Sequence, residues 1–272
     1  MQRSAAATDS RPAWNREELA ADPHAHEAKA DKVRKMFAAI ARSYDLNNRI
    51  HSFGRDQAWR RAAVRMAGVR PGDRVLDVAC GTGDLTRAFA DAGAAAVTGL
   101  DFTPEMLEIA RRKRLHARTS RGMSGPGATS AKAEVITYVQ GDAMALPFPD
   151  ESFDIVSIAF GIRNVSDPHA ALREFRRVLR RGGRLAILEF TRPRCAPVRW
   201  LSDVYTNVIM PRTAAIISGD RSGAYRYLPR SIATFMEREE MVGAIESARF
   251  RNVRLRLLSF GIAGCYVADA AD

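Results

Sequence analysis

The chain's 272 residues are 46% hydrophobic and 27% charged, enough to bury one large core or two small ones and far beyond a disulfide-held miniprotein. Its 42 lysines and arginines exceed its 31 acids, and the net charge of +11 suits an anionic partner such as nucleic acid or a membrane face. Cys80, Cys195 and Cys265 are too scattered for a disulfide framework or a paired-cysteine metal site, so a reducing compartment is expected.

Residues 1–30 are Ala-rich and mixed in charge, carry Pro12 and Pro23, and predict a flexible N-terminal tail without the apolar stretch of a secretory signal. Order is expected from about Val33. Met36, Phe37, Ile40 and Tyr44 recur at helical spacing, as do Trp59, Ala62, Ala63 and Met66 before Gly68, so residues 31–70 predict a helical cap. Over residues 71–272 the rhythm changes. Short β-rich runs at Arg74–Cys80, Ala96–Asp101, Val135–Gly141, Phe153–Phe160 and Arg184–Phe190 alternate with helical stretches at Asp84–Asp91, Pro104–Leu115 and Pro168–Arg181. That alternation predicts an α/β domain, a mostly parallel sheet with helices on both faces. Pro197–Met210 and Ile232–Ala248 read as helices, then Asn252–Ser259 and Gly261–Ala268 as strands separated by Phe260 alone. A link that short joins antiparallel neighbours, so the expected sheet of about seven strands carries an antiparallel edge strand. No run reaches the roughly 18 apolar residues that span a bilayer.

Asp77-Val78-Ala79-Cys80-Gly81-Thr82-Gly83-Asp84 stands where the first strand turns into a helix. Glycines there let backbone N–H groups approach a ligand at the carboxyl edge of the sheet. The next strand ends in Asp101, 18 residues beyond Gly83, where a carboxylate can hold both hydroxyls of a ribose. Nicotinamide dinucleotides and S-adenosylmethionine both fit that pair. The dinucleotide fingerprint needs a third glycine three residues after Gly83, where Thr86 stands. Asp77 also suits the amino group of a methionine moiety better than a pyrophosphate. Gly141-Asp142-Ala143 follows the third strand: the acid can accept the amino group of adenine and the Ala143 N–H can donate to the ring. Taken alone, Asp142 reads first as a loop or helix-capping residue. In series with Asp77, Gly81, Gly83 and Asp101 it points to S-adenosylmethionine as cofactor.

Several stretches resemble one family. Ile40–Ser52 (IARSYDLNNRIHS), Trp59-Arg60-Arg61, Val75–Thr86 (VLDVACGTGDLT), Gly99–Met106 (GLDFTPEM), Gly141–Asp154 (GDAMALPFPDESFD), Phe160–Val165 (FGIRNV) and Arg181–Pro193 (RGGRLAILEFTRP) are similar to the ubiquinone/menaquinone biosynthesis C-methyltransferases. The glycine motif is shared by many methyltransferases; Tyr-Asp-Leu-Asn-Asn combined with Phe-Gly-Ile-Arg-Asn is the specific part. The resemblance runs from about Ala38 to Ala268 and implies a class I, Rossmann-like fold with a helical N-terminal lid. It also implies cofactor contacts at Thr82, Asp101, Asp142 and Ala143. The implied reaction methylates a ring carbon of a polyprenylated quinol, demethylmenaquinol to menaquinol. Two positions depart from the pattern: Ala79 replaces a glycine, and Ala159 replaces a serine that contacts the cofactor in some members, so that contact is dropped.

An aromatic carbon becomes nucleophilic when an adjacent hydroxyl ionises, so the protein must align the ring, exclude water and take up a proton. Arg163 and Asn164, after the fourth strand, are the catalytic candidates beside the cofactor. Arg163 either stabilises a phenolate or pairs with an acid and fixes its loop. Tyr44 and His51 are further candidates from the lid; His51 has the near-neutral pKa of a base, against which stands an internally bonded histidine. Asp154, near Pro147 and Pro149, reads as holding a turn. His24, His26, His116 and His169 show no metal-ligand spacing, so no metal is expected. Trp200, Leu201, Val204, Tyr205, Val208 and Ile209 form an amphipathic run that serves as helix core or lines an entrance open to lipid.

The glycine and acid motifs do not see the acceptor, so a 2-polyprenyl-6-methoxy-1,4-benzoquinol or another small aromatic or lipid acceptor is the alternative. From a different class, an RNA-binding protein or RNA methyltransferase is prompted by the charge, but no RNA module or interleaving of aromatic and basic residues supports a nucleic-acid partner. The charge is local: Arg111–Lys132 carries +7 and Arg173–Arg194 carries +6. These segments read as basic patches on a cytoplasmic enzyme held peripherally at the inner face of an anionic membrane where its substrate resides. A homodimer stays open.

Overall fold

The computed structural model describes residues 12–20, 22–119, 135–218 and 223–271. Strands β1 (Arg74–Val78), β2 (Ala96–Asp101), β3 (Ile136–Gln140), β4 (Phe153–Ala159), β5 (Leu179–Phe190), β6 (Phe250–Leu258) and β7 (Ala263–Ala270) form one sheet in the order β3-β2-β1-β4-β5-β7-β6. Around it run α1 (Arg16–Ala20), α2 (Lys29–Ile40), α3 (Tyr44–His51), α4 (Arg55–Ala67), α5 (Asp84–Asp91), α6 (Pro104–Thr119), α7 (Pro168–Val178), α8 (Ala196–Val204), α9 (Met210–Ser218), α10 (Ala224–Ala233) and α11 (Arg238–Ser247). The strand order reverses at β1, which pairs in parallel with β2 (Val75 opposite Val97) and with β4 (Val75 opposite Ile155). A sheet that reverses there opens a crevice beyond the carboxyl ends of β1 and β4. Strand β7 is antiparallel to both β5 and β6 and lies one position in from the β6 edge.

Strand alternation divides the core into two layers. Val75 packs with Trp59, Phe89 and Ile155 under α4 and α5, while Leu76 and Val78 pack with Leu100, Phe175 and Ile245 under α7 and α11. Local sequence sets the helix ends. Asp167 caps α7 by accepting the Ala170 N–H at 3.0 Å, with Pro168 in the first turn. Gly68 closes α4 in the left-handed region, at φ 62°.

Some expected boundaries shift. The helix expected to reach Arg181 stops at Val178, because residues 179–181 already belong to β5. The helix expected over 232–248 is two, since Glu237 and Glu240 form a capping box that starts α11 afresh. Strands β6 and β7 are antiparallel as expected, but they are joined by the short 3-10 turn Ser259–Gly261 rather than by Phe260 alone.

The flexible tail expected over residues 1–30 is corrected for its described part. Trp14 is fully buried and stacks on Tyr227 of α10 at 4.9 Å. Lys29 is 1% exposed; its ammonium donates to the Val165 carbonyl at 2.6 Å and lies 3.1 Å from His24 Nδ1. One large aromatic and one buried lysine anchor a segment whose average composition looks unfolded. Among the described residues no helix is long and apolar enough to cross a membrane.

Candidate active site

Two cavities open where the strand order reverses. The smaller is bounded by Ala79, Gly81, Asp101, Asp142, Ala143 and Asn164; the larger, about 1660 Å³, lies between the N-terminal helices and the α8–α10 region. Phe37, Tyr44 and Phe160 belong to both walls, so the chambers meet at an aromatic partition. Ala79 (φ 51°) and Phe160 (φ 55°) follow adjacent strands in the left-handed region, a strained conformation for residues with a Cβ that is characteristic of functional sites.

Asp101 closes β2 with its carboxylate held by the Gly81 N–H at 2.7 Å and the Thr103 N–H at 2.8 Å. Burial pushes its pKa up and these backbone donors pull it back. Gly81 (φ 56°) and Gly83 (φ 82°) shape the turn, and a Cβ on Gly83 would strike the Tyr138 hydroxyl. Asp142 accepts the Met144 N–H at 2.9 Å, with Ala143 on the same wall.

Two expected ligand contacts are engaged elsewhere. Asp77 is 1% exposed, accepts the Thr86 hydroxyl at 2.6 Å and the Ser157 hydroxyl at 2.9 Å, and does not line the cavity. Burial pushes its pKa up to about 6. The expectation that it meets an amino group is corrected: it braces β1 against α5 and β4. Thr82 gives its hydroxyl to Asp45 of α3 at 2.6 Å. Lys113 of α6 binds the same carboxylate at 2.8 Å and also pairs with Asp84, tying the lid helix to the glycine turn.

Arg163 sits in the 3-10 turn Ile162–Asn164, 4% exposed. Its Nη1 pairs with Glu189 Oε1 at 2.6 Å and donates to the Phe160 carbonyl at 2.8 Å, while its Nε is buried without a partner. The acid pairing foreseen for Arg163 is therefore present, on the wall of the larger cavity. Burial raises the Glu189 pKa and Arg163 pulls it down. Asn164 lines the smaller cavity; its Nδ2 donates to the Phe160 carbonyl at 3.2 Å and its Oδ1 accepts the Tyr227 hydroxyl at 3.0 Å. Tyr44 stands in the partition, its phenol pKa raised by burial.

His51 faces the larger cavity. The Tyr205 hydroxyl donates to the His51 carbonyl at 3.2 Å, and His51 Nδ1 lies 3.1 Å from the same hydroxyl oxygen. The hydroxyl has one proton, so it either gives it to the carbonyl and accepts from Nδ1–H or gives it to Nδ1; the first arrangement leaves Nε2 as a lone pair, and Nε2 is buried without a protein partner. Burial lowers the imidazole pKa, so the ring is neutral at pH 7.

A family model described as the ubiE/COQ5 methyltransferase family matches residues 25–269. The chain belongs to that family. This methyltransferase is 42% identical over 242 residues to the demethylmenaquinone methyltransferase of Deinococcus radiodurans, covering 89% of its own length and 93% of the relative. It is 40% identical over 238 residues to the ubiquinone/menaquinone biosynthesis C-methyltransferase UbiE of Shewanella woodyi, with coverages of 86% and 88%. Its fold matches that of a SAM-dependent methyltransferase from Thermotoga maritima at a TM-score of 0.56 and 19% identity, over 88% of this chain and 99% of that one.

The residues present fit S-adenosylmethionine. Among the described residues, the smaller cavity sets the carboxylates of Asp101 and Asp142 against the single guanidinium of Arg34, a balance suited to a cationic sulfonium and unsuited to a pyrophosphate. Its floor also needs glycine: a Cβ on Gly161 would lie 2.6 Å from the Ala79 Cβ, and one on Gly141 2.8 Å from Leu100.

Three residues of the methyltransferase were given no role by the sequence, although Arg60 and Glu189 lie in the family-like stretches. Asp56 and Arg60 pair at 2.8 Å on the wall of the larger cavity, with Arg60 5.5 Å from the Phe160 ring centroid. Their i, i+4 spacing was visible but reads as an ordinary surface pair. Glu189 lay unmarked inside an apolar strand. Within the basic segment 173–194, Arg177 pairs with Glu174 and Asp150, Arg184 with Asp73, and Arg180 with Asp154. Of the segment 111–132, residues 120–132 lie outside the described residues; Arg111 and Arg114 donate to carbonyls of β3.

Proposed function

We propose that this methyltransferase methylates a ring carbon of a polyprenylated quinol, converting demethylmenaquinol to menaquinol, in the cytoplasm at the inner face of an anionic membrane. The observation that carries this reading is the aromatic partition: a small cavity edged by carboxylates meets an apolar one of about 1660 Å³ at Phe37, Tyr44 and Phe160. The larger chamber is roomy enough for a ring with an isoprenoid tail. The name of the Deinococcus relative favours the menaquinone acceptor, and that of the Shewanella relative favours, as the second reading, a 2-polyprenyl-6-methoxy-1,4-benzoquinol.

When bound, S-adenosylmethionine supplies an electrophilic methyl group. Asp101 would hold the ribose hydroxyls, and Asp142 with Ala143 the adenine edge. Arg163, its charge partly satisfied by Glu189, steadies the developing phenolate. His51 Nε2 takes the phenolic proton in the tautomer whose Nδ1–H donates to Tyr205; the ring carbon that gains the methyl group then releases its own proton, which restores the aromatic ring, and the electron pair of the broken C–S bond stays on sulfur. Asn164, tied to Tyr227, fixes the turn that carries Arg163, and the apolar walls exclude water.

Incubation with labelled S-adenosylmethionine and each demethylated quinol in turn, with mass analysis of the lipid, tests the assignment. Label in menaquinol is expected; label in the benzoquinol product alone favours the second reading, and label in neither overturns both.

A further inference from the structure

Phe53 and Phe260 are 78% and 86% exposed, and both hold left-handed backbone, at φ 52° and 57°, in tight turns just before a glycine. A bulky aromatic is among the residues least suited to that conformation, and exposure leaves it no packing to offset the strain. Both rings border the mouth of the larger cavity, Phe53 lying 5.8 Å from the Tyr205 ring. Val208 and Ile209, each 45% exposed, and Leu201, 63% exposed, extend this apolar rim along α8 and the helical turn after it. Arg55, Arg212 and Arg226 are exposed on the same rim, where the acids among the described residues are Asp203, 3.7 Å from Arg192, and the buried Asp56.

Apolar rings set among cations match the interface of an anionic bilayer, with side chains at the acyl boundary and guanidinium groups on lipid phosphates. They match a second copy of this chain poorly, because its rim would bring the same charge. We propose that this rim is a bilayer-docking edge in which Phe53 and Phe260 act as paired wedges, setting the cavity mouth at the membrane surface so that a lipid tail slides in without crossing water. This rests on the lipid-soluble acceptor proposed above.

Sedimentation of the full chain with phosphatidylglycerol–phosphatidylcholine vesicles tests it, comparing the wild type with F53N/F260N. Losing two rings from the acyl boundary is expected to weaken vesicle affinity about tenfold or more. Wild-type binding is expected to weaken as salt rises. Asparagine tolerates left-handed turns, so the double variant keeps or raises the unfolding temperature and keeps its affinity for S-adenosylmethionine at the other cavity. A second variant, R212E/R226E, retains both rings and is expected to lose the preference for anionic lipid. Undiminished binding by F53N/F260N, equal wild-type binding to pure phosphatidylcholine, or a homodimer that F53N/F260N dissociates overturns the proposal. Vesicle binding involves no acceptor, so failure to methylate any quinol sinks the acceptor reading alone.

Discussion

Arg163 can serve the fold, the chemistry or both, and its buried partner separates these roles. Arg163 is 4% and Glu189 2% exposed, 2.6 Å apart. Removing one side of such a pair leaves the other charge buried and costs about 3–5 kcal/mol, whereas neutralising both is often close to neutral. For a chain of this length each kcal/mol moves the unfolding midpoint by about 2–4 °C, so Arg163→Met is expected to unfold about 6–20 °C early. Arg163→Met/Glu189→Gln retains an acceptor for the Phe190 N–H, now 2.8 Å from Glu189, and should unfold within a few degrees of the wild type. The deficit of the single variant should also shrink at low pH, because an unpaired buried carboxyl takes up a proton there. Turnover behaves differently: neither variant has a cation for the phenolate, and both should lose about a hundredfold or more in kcat while still binding S-adenosylmethionine. Calorimetric unfolding and steady-state kinetics read the two effects separately. A double variant that recovers wild-type turnover would reduce Arg163 to a brace, and an Arg163→Met protein with an unshifted midpoint would refute the buried-pair argument.

Asp101→Asn keeps an acceptor for one of the two N–H groups on that carboxylate and loses the charge, so S-adenosylmethionine affinity should fall about a hundredfold by titration calorimetry while the N–H left unpaired lowers the unfolding midpoint by about 2–12 °C; full affinity would mean that the site is misplaced. Asp77 titrates near 6 in the folded chain against 3.8 when exposed, so between those values the folded state holds a proton that the unfolded state lacks. Stability should therefore fall as pH rises from about 4 to about 6, by up to about 3 kcal/mol, and Asp77→Asn should flatten that slope in denaturant titrations. An unchanged slope in the variant would count against this assignment.

The sheet was legible because its signal is local: β-branched runs ended by Asp101 or Gly141 mark strand ends, and strand ends mark the cofactor edge. Asp77 misled for a geometric reason. In one dimension it stands beside the glycines, but in the strand it points between β1, β4 and α5, and Thr86, the residue that argued against a dinucleotide, is the one that occupies it. The hydrogen bond from the Thr82 hydroxyl was not legible, since its partner Asp45 comes from a helix far upstream. The buried pair Arg163–Glu189 leaves no periodic trace, and the i, i+4 spacing of Asp56 and Arg60 does not reveal burial, because a charged residue in a sequence looks the same whether solvent or a counter-ion surrounds it. The +11 charge was legible as a total and not as a surface, because which arginines are neutralised is decided by tertiary pairing.

The stacking of Trp14 on Tyr227 sets a schedule for synthesis. Strands β1 to β4 can pair among themselves while the chain is still emerging, but α1 and α2 wait for α10, which leaves the ribosome near the end. Until then the glycine turn and Asp101 can exist without the chamber that faces them, and Trp14, Val33 and Met36 lack the partner that buries them. A nascent chain stalled before residue 227 would present those side chains to chaperones, and the reaction chamber is among the last parts of the molecule to be built.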